Sequence, residues 1–275
     1  MTMVWIDGRV TGAADATVAA LDHGITVGDG VFETLKVVHG TPFALRRHLA
    51  RLRRSAAVLG LAVPLSDDQI GNAAKELLDA VAAAGRLRIT VTGGPGPLGS
   101  GRDDVPATLL LAASPSDPWP PTASVVTVPW VRNERSPVAG AKTTSYAENV
   151  VALAEAHRRG ASEAILANTV GALCEGTGTN VFVASGGRLR TPSLATGCLA
   201  GITRELLLEV VDAEEVETLT LDDLRAADEA FLTSSTRDVQ PIAEVDGRAL
   251  LHVPGPLTRA AAEAFATLQA ADLDP

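Results

Sequence analysis

The chain has 275 residues, 46% of them hydrophobic, with 23 basic and 33 acidic side chains and a formal charge of -10. That much apolar material fills one large or two modest cores and excludes a disordered chain. The acid excess, with a pI near 5.0, excludes a nucleic-acid surface, and no run approaches the roughly 20 apolar residues of a membrane span. In chain order, 4–6 read as a strand closed by an Asp7-Gly8 hairpin turn, not as a signal-type apolar core. A second strand covers 31–38. Leu45, Leu49, Leu52, Ala56 and Leu59 repeat at helical spacing and predict a helix over 44–59, which also carries the one basic cluster. Another helix covers 67–84 and stops at Gly85, and strands at 86–92 and 107–113 flank a Gly/Pro loop. Together these make a small α+β domain, 1–113. Pro115, Pro118, Pro120 and Pro121 then crowd into 114–122, where neither helix nor central strand can continue, and this stretch is expected to be a linker. The remainder, 123–275, reads as one larger domain. Its strands fall at 124–131, 163–167, 181–184 and 229–233, with helices after Lys142 and Gly201, an Asp246-Gly247 hairpin and a closing helix from Pro256.

Gly94-Pro-Gly-Pro-Leu-Gly99 matches the dinucleotide pattern but leads to another strand instead of a helix, and its prolines remove amide donors. A loop beside a pocket is the expectation there. Cys174 and Cys198 have neither disulfide-framework nor metal-ligand spacing; they fit a reducing cytoplasm and are expected to fill space, with no metal site.

Lysine is scarce. Only Lys36, Lys75 and Lys142 occur, so arginine does nearly all the cationic work. A position that keeps lysine against that bias points to a primary amine able to condense with a carbonyl, although three surface lysines would give the same count. Lys142 follows Ala139-Gly140 and precedes a periodic apolar stretch, a strand-to-helix junction suited to a reactive side chain. A Schiff-base cofactor such as pyridoxal 5'-phosphate needs an acid at its ring nitrogen and donors for its phosphate. Glu175, in the apolar, glycine-rich Leu173-Cys-Glu-Gly-Thr-Gly-Thr-Asn180, suits the first. The amides and Thr203 hydroxyl at a helix start after Gly201, and the hydroxyls of Thr233-Ser-Ser-Thr236, suit the second.

With those residues in view, the chain resembles the fold-type IV pyridoxal-phosphate enzymes, which include D-amino-acid and branched-chain aminotransferases and aminodeoxychorismate lyase. Six motifs run in order over nearly the whole chain: Asp22-His-Gly-Ile-Thr-Val-Gly-Asp-Gly-Val-Phe-Glu-Thr34, His48-Leu-Ala-Arg-Leu52, Lys142-Thr-Thr-Ser-Tyr146, Glu175-Gly-Thr-Gly-Thr-Asn180, Leu199-Ala-Gly-Ile-Thr-Arg204 and Thr233-Ser-Ser-Thr236. The resemblance implies a two-domain fold, a small N-terminal α+β domain and a larger C-terminal domain with a mixed-sheet or barrel core. It implies pyridoxal phosphate bound to Lys142, which also moves the substrate proton. By the same resemblance Arg51 grips the phosphate with Ile202, Thr203, Ser235 and Thr236. Glu175 pairs with the ring nitrogen, Leu199 packs on the ring, and Tyr146 and Asn180 join the cofactor set. A homodimer acting on a small amino donor and a keto-acid acceptor is also implied. For substrate, Phe32 and Thr34 line the site, and Lys36 and Arg102 are the candidates for a carboxylate partner. The expected reaction is transamination of D-amino acids and, more weakly, (R)-amines. Thr34 in the F-x-T pattern keeps aminodeoxychorismate lyase as the alternative, and the substrate loop does not match the branched-chain pattern.

Overall fold

The Asp7-Gly8 turn closes a hairpin of β1 (Met3–Ile6) and β2 (Arg9–Gly12) in the computed structural model, which describes all 275 residues. After the single helical turn α1 (His23–Thr26) come β3 (Gly30–Val38), β4 (Thr41–Pro42), α2 (Leu45–Leu59), α3 (Asp67–Asp79), β5 (Arg86–Thr92) and β6 (Thr108–Ser114). The strands pair antiparallel in the order β2-β1-β6-β5-β3-β4. Side chains alternate across a strand, so Val31, Leu35 and Val37 of β3 and Leu87, Ile89 and Val91 of β5 meet Leu49, Leu52, Ile70 and Leu77 of the two helices in one core. Each such buried aliphatic contributes about 1.5–3 kcal/mol. Glu33 shares that helix-facing side. Phe32, Thr34 and Lys36 lie on the other face, opposite Thr90, Arg88 and Arg86 in the β5 register.

Helix α3 begins at a Ser66/Gln69 capping box. It ends at Asp79, five residues before the 84 expected from apolar spacing: the last amides tighten onto Leu77 and Leu78, and Ala83 turns left-handed at φ 52°. Apolar periodicity carries no information about that turn.

The remaining elements are β7 (Ala123–Arg132), α4 (Ala147–Arg158), β8 (Glu163–Asn168), β9 (Leu173–Gly176), β10 (Asn180–Ser185), β11 (Arg188–Pro192), α5 (Ile202–Val210), β12 (Ala213–Val216), α6 (Leu221–Arg225), β13 (Glu229–Ser234), β14 (Asp238–Val245), β15 (Arg248–Ala249) and α7 (Pro256–Ala271). The sheet order is β12-β11-β10-β13-β14-β7-β8-β9, with β15 beside β14. It is mixed: β11/β12, β14/β7 and β7/β8 are parallel, the rest antiparallel. The sheet curls so that β9 also packs on β10 and β11. Helix α4 covers β7 and β8, while α5 and α7 cover β13. Phe182 and Phe231 stack at 4.8 Å across the β10/β13 pair.

Two compact units result: Met1–Pro118 with Ala141–Tyr146 and Asp272–Pro275, and Trp119–Gly140 with Ala147–Ala271. The lysine segment belongs to the first because it pairs with β3. No helix is long and apolar enough to cross a membrane.

Candidate active site

Lys142 is placed by backbone pairing. The Phe32 amide donates to the Lys142 carbonyl at 3.0 Å, the Thr144 amide donates to Gly30 at 2.8 Å, and Val31 bridges Thr143. The Lys142 amide itself donates to the Ser55 hydroxyl of α2 at 3.0 Å. Its Nζ lies 3.3 Å from the Tyr146 hydroxyl and 4.5 Å from the Phe32 ring centre. Phe32 and Tyr146 meet edge to face at 5.1 Å. The amine therefore stands against an aromatic wall, with a phenol as its hydrogen-bond neighbour.

On the helix side of β3, Glu33 is fully buried and accepts from Arg51 Nε at 2.8 Å, Arg51 Nη2 at 2.6 Å and His48 Nδ1 at 2.6 Å. A carboxylate only accepts, so His48 carries its ring proton on Nδ1. Burial pushes the Glu33 carboxyl up, but the Arg51 charge and the Arg51 and His48 bonds outweigh it and hold it well below the usual carboxylate range. Burial likewise pushes His48 down, against the pull of Glu33. Arg51 is thus a guanidinium oriented by two bonds to one carboxylate. Arg102 is committed to Asp29 at 2.5 Å. Thr34 and Lys36 are half-buried on the Phe32 face.

The loop after β5 is pinned by the motif that begins at Asp22. Asp22 accepts from Thr92 at 2.9 Å, Thr108 at 2.7 Å and the Gly24 amide at 2.8 Å. His23 Nε2 lies 3.0 Å from the Pro97 carbonyl, and a Cβ on Gly96 would meet His23 at 2.6 Å. The Gly/Pro loop joins two strands, as its sequence implied.

In the second unit Glu175 sits on β9, a strand not expected from the sequence. One oxygen accepts from Arg132 Nε at 3.1 Å and the other from the Leu199 amide at 2.9 Å. Arg132 in turn donates to Asn149 at 2.7 Å. Asn180 donates to the Leu199 carbonyl at 2.8 Å, so Leu199 is bracketed from both sides. A Cβ at Gly201 would overlap Asn180 Oδ1, so any side chain there must displace the Asn180 amide. Helix α5 follows with no capping side chain, its first intrahelical bond being Glu205 to Gly201 at 2.8 Å. The amides of Ile202 and Thr203 have no acceptor within the helix. Helix α5 packs on β13, whose Thr233 hydroxyl is buried without a partner and leads into Ser235 and Thr236. An uncapped helix start next to a run of hydroxyls fits a phosphate. Cys174 and Cys198 are buried, with hydrogen bonds to carbonyls; burial pushes both thiols up, Cys198 to about 11, so they stay protonated and fill space.

The expected residues thus gather in two sets. Phe32, Thr34, Lys36, Arg51, Lys142 and Tyr146 share the first unit, and Glu175, Asn180, Leu199, Ile202, Thr203, Ser235 and Thr236 share the second. Sequence reading missed Arg88, Arg132, Asn149 and the Glu33–His48 pair. The alternation of Arg86, Arg88, Thr90 and Thr92 was a signal for a polar strand face; nothing local links Arg132 to Glu175, 43 residues away.

A sequence profile described as Amino-transferase class IV matches residues 30–245. The chain is 33% identical over 267 residues to a D-alanine aminotransferase of Bacillus licheniformis, covering 93% of each chain. It is 30% identical over 256 residues to an aminodeoxychorismate lyase of Bacillus subtilis, covering 89% of this chain and 87% of that one. The branched-chain aminotransferase of Thermoproteus uzoniensis, solved with norvaline, matches with a TM-score of 0.87 at 32% identity over 97% of this chain and 94% of that chain.

Proposed function

Because this chain belongs to the class IV aminotransferase family, we propose that it is a transaminase moving amino groups between D-amino acids and α-keto acids. Enzymes of this class use pyridoxal phosphate. When bound, that group supplies an aldehyde that condenses with amines and a ring that takes up the electrons of a broken Cα–H bond. The residues here fit it. Lys142 would hold it covalently and Glu175 would sit at the ring nitrogen. The Ile202 and Thr203 amides, with Ser235, Thr236 and the Glu33-oriented Arg51, would hold the phosphate. Leu199 would cover the ring, supported by Asn180, and Tyr146 would serve both cofactor and lysine.

The observation that carries the reading is the lysine amine held over Phe32 beside the Tyr146 hydroxyl at 3.3 Å. A base so placed, with a hydroxyl to share its proton, suits removal of the Cα proton from an amino substrate. Arg132 and the Leu199 amide both donate to Glu175, which fixes the orientation of its carboxyl group. The 33% identity to a D-alanine aminotransferase supports the D-amino-acid preference. A second reading, an aminodeoxychorismate lyase, is favoured by Thr34 on the Phe32 face and by the lyase relative.

The test is a half-reaction: holoenzyme mixed with D-alanine and no keto acid, with visible absorbance and pyruvate followed together. Bleaching matched one-to-one by pyruvate is the expected outcome. No bleaching, with pyruvate released catalytically from aminodeoxychorismate, replaces the reading with the lyase.

A further inference from the structure

Glu163 opens β8 and is 1% exposed, and none of its hydrogen-bond partners is a group proposed to meet the cofactor. A carboxyl group buried this deeply is costly unless its lone pairs find donors. Here the two oxygens are divided between two segments. Oε1 accepts from the Thr177 hydroxyl at 2.5 Å, the Thr177 amide at 3.1 Å and the Ala164 amide at 3.0 Å. Oε2 accepts from Arg237 Nη2 at 3.3 Å and from the Thr179 hydroxyl at 3.5 Å.

Each segment leads to a different part of the site. Thr177 lies two residues beyond Glu175, and its carbonyl accepts from Asn149. The Asn149 oxygen accepts from Arg132 Nη1 at 2.7 Å, and Arg132 Nε donates to Glu175 at 3.1 Å. A Cβ on the intervening Gly176 would overlap the Thr179 hydroxyl and meet Glu163 Cγ at 3.2 Å. On the other side, Arg237 directly follows Ser235 and Thr236. Its guanidinium stacks 3.8 Å from the centre of the Trp119 ring, and its Nη1 donates to Gln240 at 2.7 Å. All of these residues belong to the second compact unit.

We propose that Glu163 is a positioning residue for the cofactor. One oxygen fixes the loop behind Glu175 and the other fixes the turn behind Ser235 and Thr236, so a single buried carboxyl group sets the separation between the ring-nitrogen partner and the phosphate donors. The proposal rests on the placement of Glu175 at the ring nitrogen, and it holds for a transaminase and a lyase alike because both use that cofactor. The physical reason is preorganisation: groups already held in place need no ordering when the cofactor arrives.

Substitutions separate the two arms. In Glu163→Gln the amide oxygen keeps the Thr177 donors while the amide nitrogen faces Arg237, donor against donor, which breaks the phosphate arm. Thr177→Val removes the shortest bond of the ring arm, and Glu163→Ala cuts both. The experiment loads each full-length variant with pyridoxamine 5'-phosphate labelled with nitrogen-15 in the ring. Nitrogen-15 and phosphorus-31 chemical shifts are read at one pH, with cofactor affinity and melting temperature measured alongside. Glu163→Gln should move the phosphorus signal and leave the nitrogen signal, and Thr177→Val should do the reverse. Glu163→Ala should move both and weaken cofactor binding about 10- to 100-fold, the loss typical when residues that orient a metal's ligands are removed. A merely structural role lowers the melting temperature and moves neither signal of the bound cofactor, and that outcome overturns the proposal. Should Glu163→Ala not fold, the two single-arm variants decide. Glu175→Gln is the control. A nitrogen signal unmoved there shows that the placement of Glu175 has failed and takes the proposal with it, whereas a signal moved there and unmoved in Glu163→Ala overturns the proposal alone.

Discussion

A lysine in an arginine-rich chain acquires its role from what surrounds its amine. Lys142 is held at both of its backbone groups, its carbonyl by the Phe32 amide and its amide by the Ser55 hydroxyl, and its Nζ has an aromatic face and a phenol as neighbours. Lys142→Ala should leave the fold intact and abolish turnover, and borohydride should no longer fix cofactor to the peptide containing 142, as read by mass spectrometry. Turnover at the wild-type rate would remove Lys142 from the chemistry. Glu33 is the opposite kind of residue, silent in chemistry and heavily committed in structure. Its three bonds to Arg51 and His48 are buried. Glu33→Ala removes the buried carboxylate that takes two bonds from the Arg51 guanidinium and should cost about 3–5 kcal/mol in chemical denaturation. A loss within a few tenths of a kcal/mol would mean that the cluster is solvated in solution.

At the scale of elements, the alternation of one strand divides two duties. β3 turns Val31, Glu33, Leu35 and Val37 to the helices and Phe32, Thr34 and Lys36 outward, so a one-residue slip would exchange core for site. The start of α5 is the other decisive element. Gly201 is needed not for its dihedral, φ -68°, but for space, since Asn180 Oδ1 occupies the place of a Cβ. Gly201→Ala should push Asn180 off the Leu199 carbonyl and misplace the Ile202 and Thr203 amides. The overpacking should cost about 1–3 kcal/mol. Cofactor affinity, titrated by fluorescence on the apoprotein, should fall further than this stability loss explains. Unchanged affinity would place the phosphate elsewhere.

For the molecule as a whole, the buried Glu33–His48–Arg51 cluster predicts acid sensitivity. Both titrating groups have folded pKa values below their unfolded ones, so each contributes stability that is complete at high pH and lost on acidification. The His48 contribution declines as pH falls below about 6.5, and the Glu33 contribution below about 4.3, their unfolded values. Melting temperature should hold above pH 7 and decline in two stages, and His48→Gln should flatten the upper stage. A flat profile from pH 7 to 5 in wild type would contradict the buried neutral histidine. Strands β1, β3, β5 to β8, β10 and β13 and helices α2, α4, α5 and α7 were legible along the chain because local spacing encodes them, as in Leu45 to Leu59 at helical intervals and Arg86 to Thr92 in alternation, whereas short β11, β12 and α6 carry too few residues to show a period. Lys142 and Glu175 were legible because each is chemically out of place, a rare lysine and a carboxylate among apolar residues. The end of α3, strand β9 and the partners Arg88 and Arg132 were not. A left-handed turn at Ala83, sheet curling that brings β9 onto β10, and ion pairs across 43 residues arise only when distant segments meet. By itself the sequence determined which chemistry is carried and where the elements run. Tertiary structure alone decided which cation is spent on Asp29, which on Glu33 and which stacks on Phe32, because a charge's role depends on its neighbours in space, not on its neighbours along the chain.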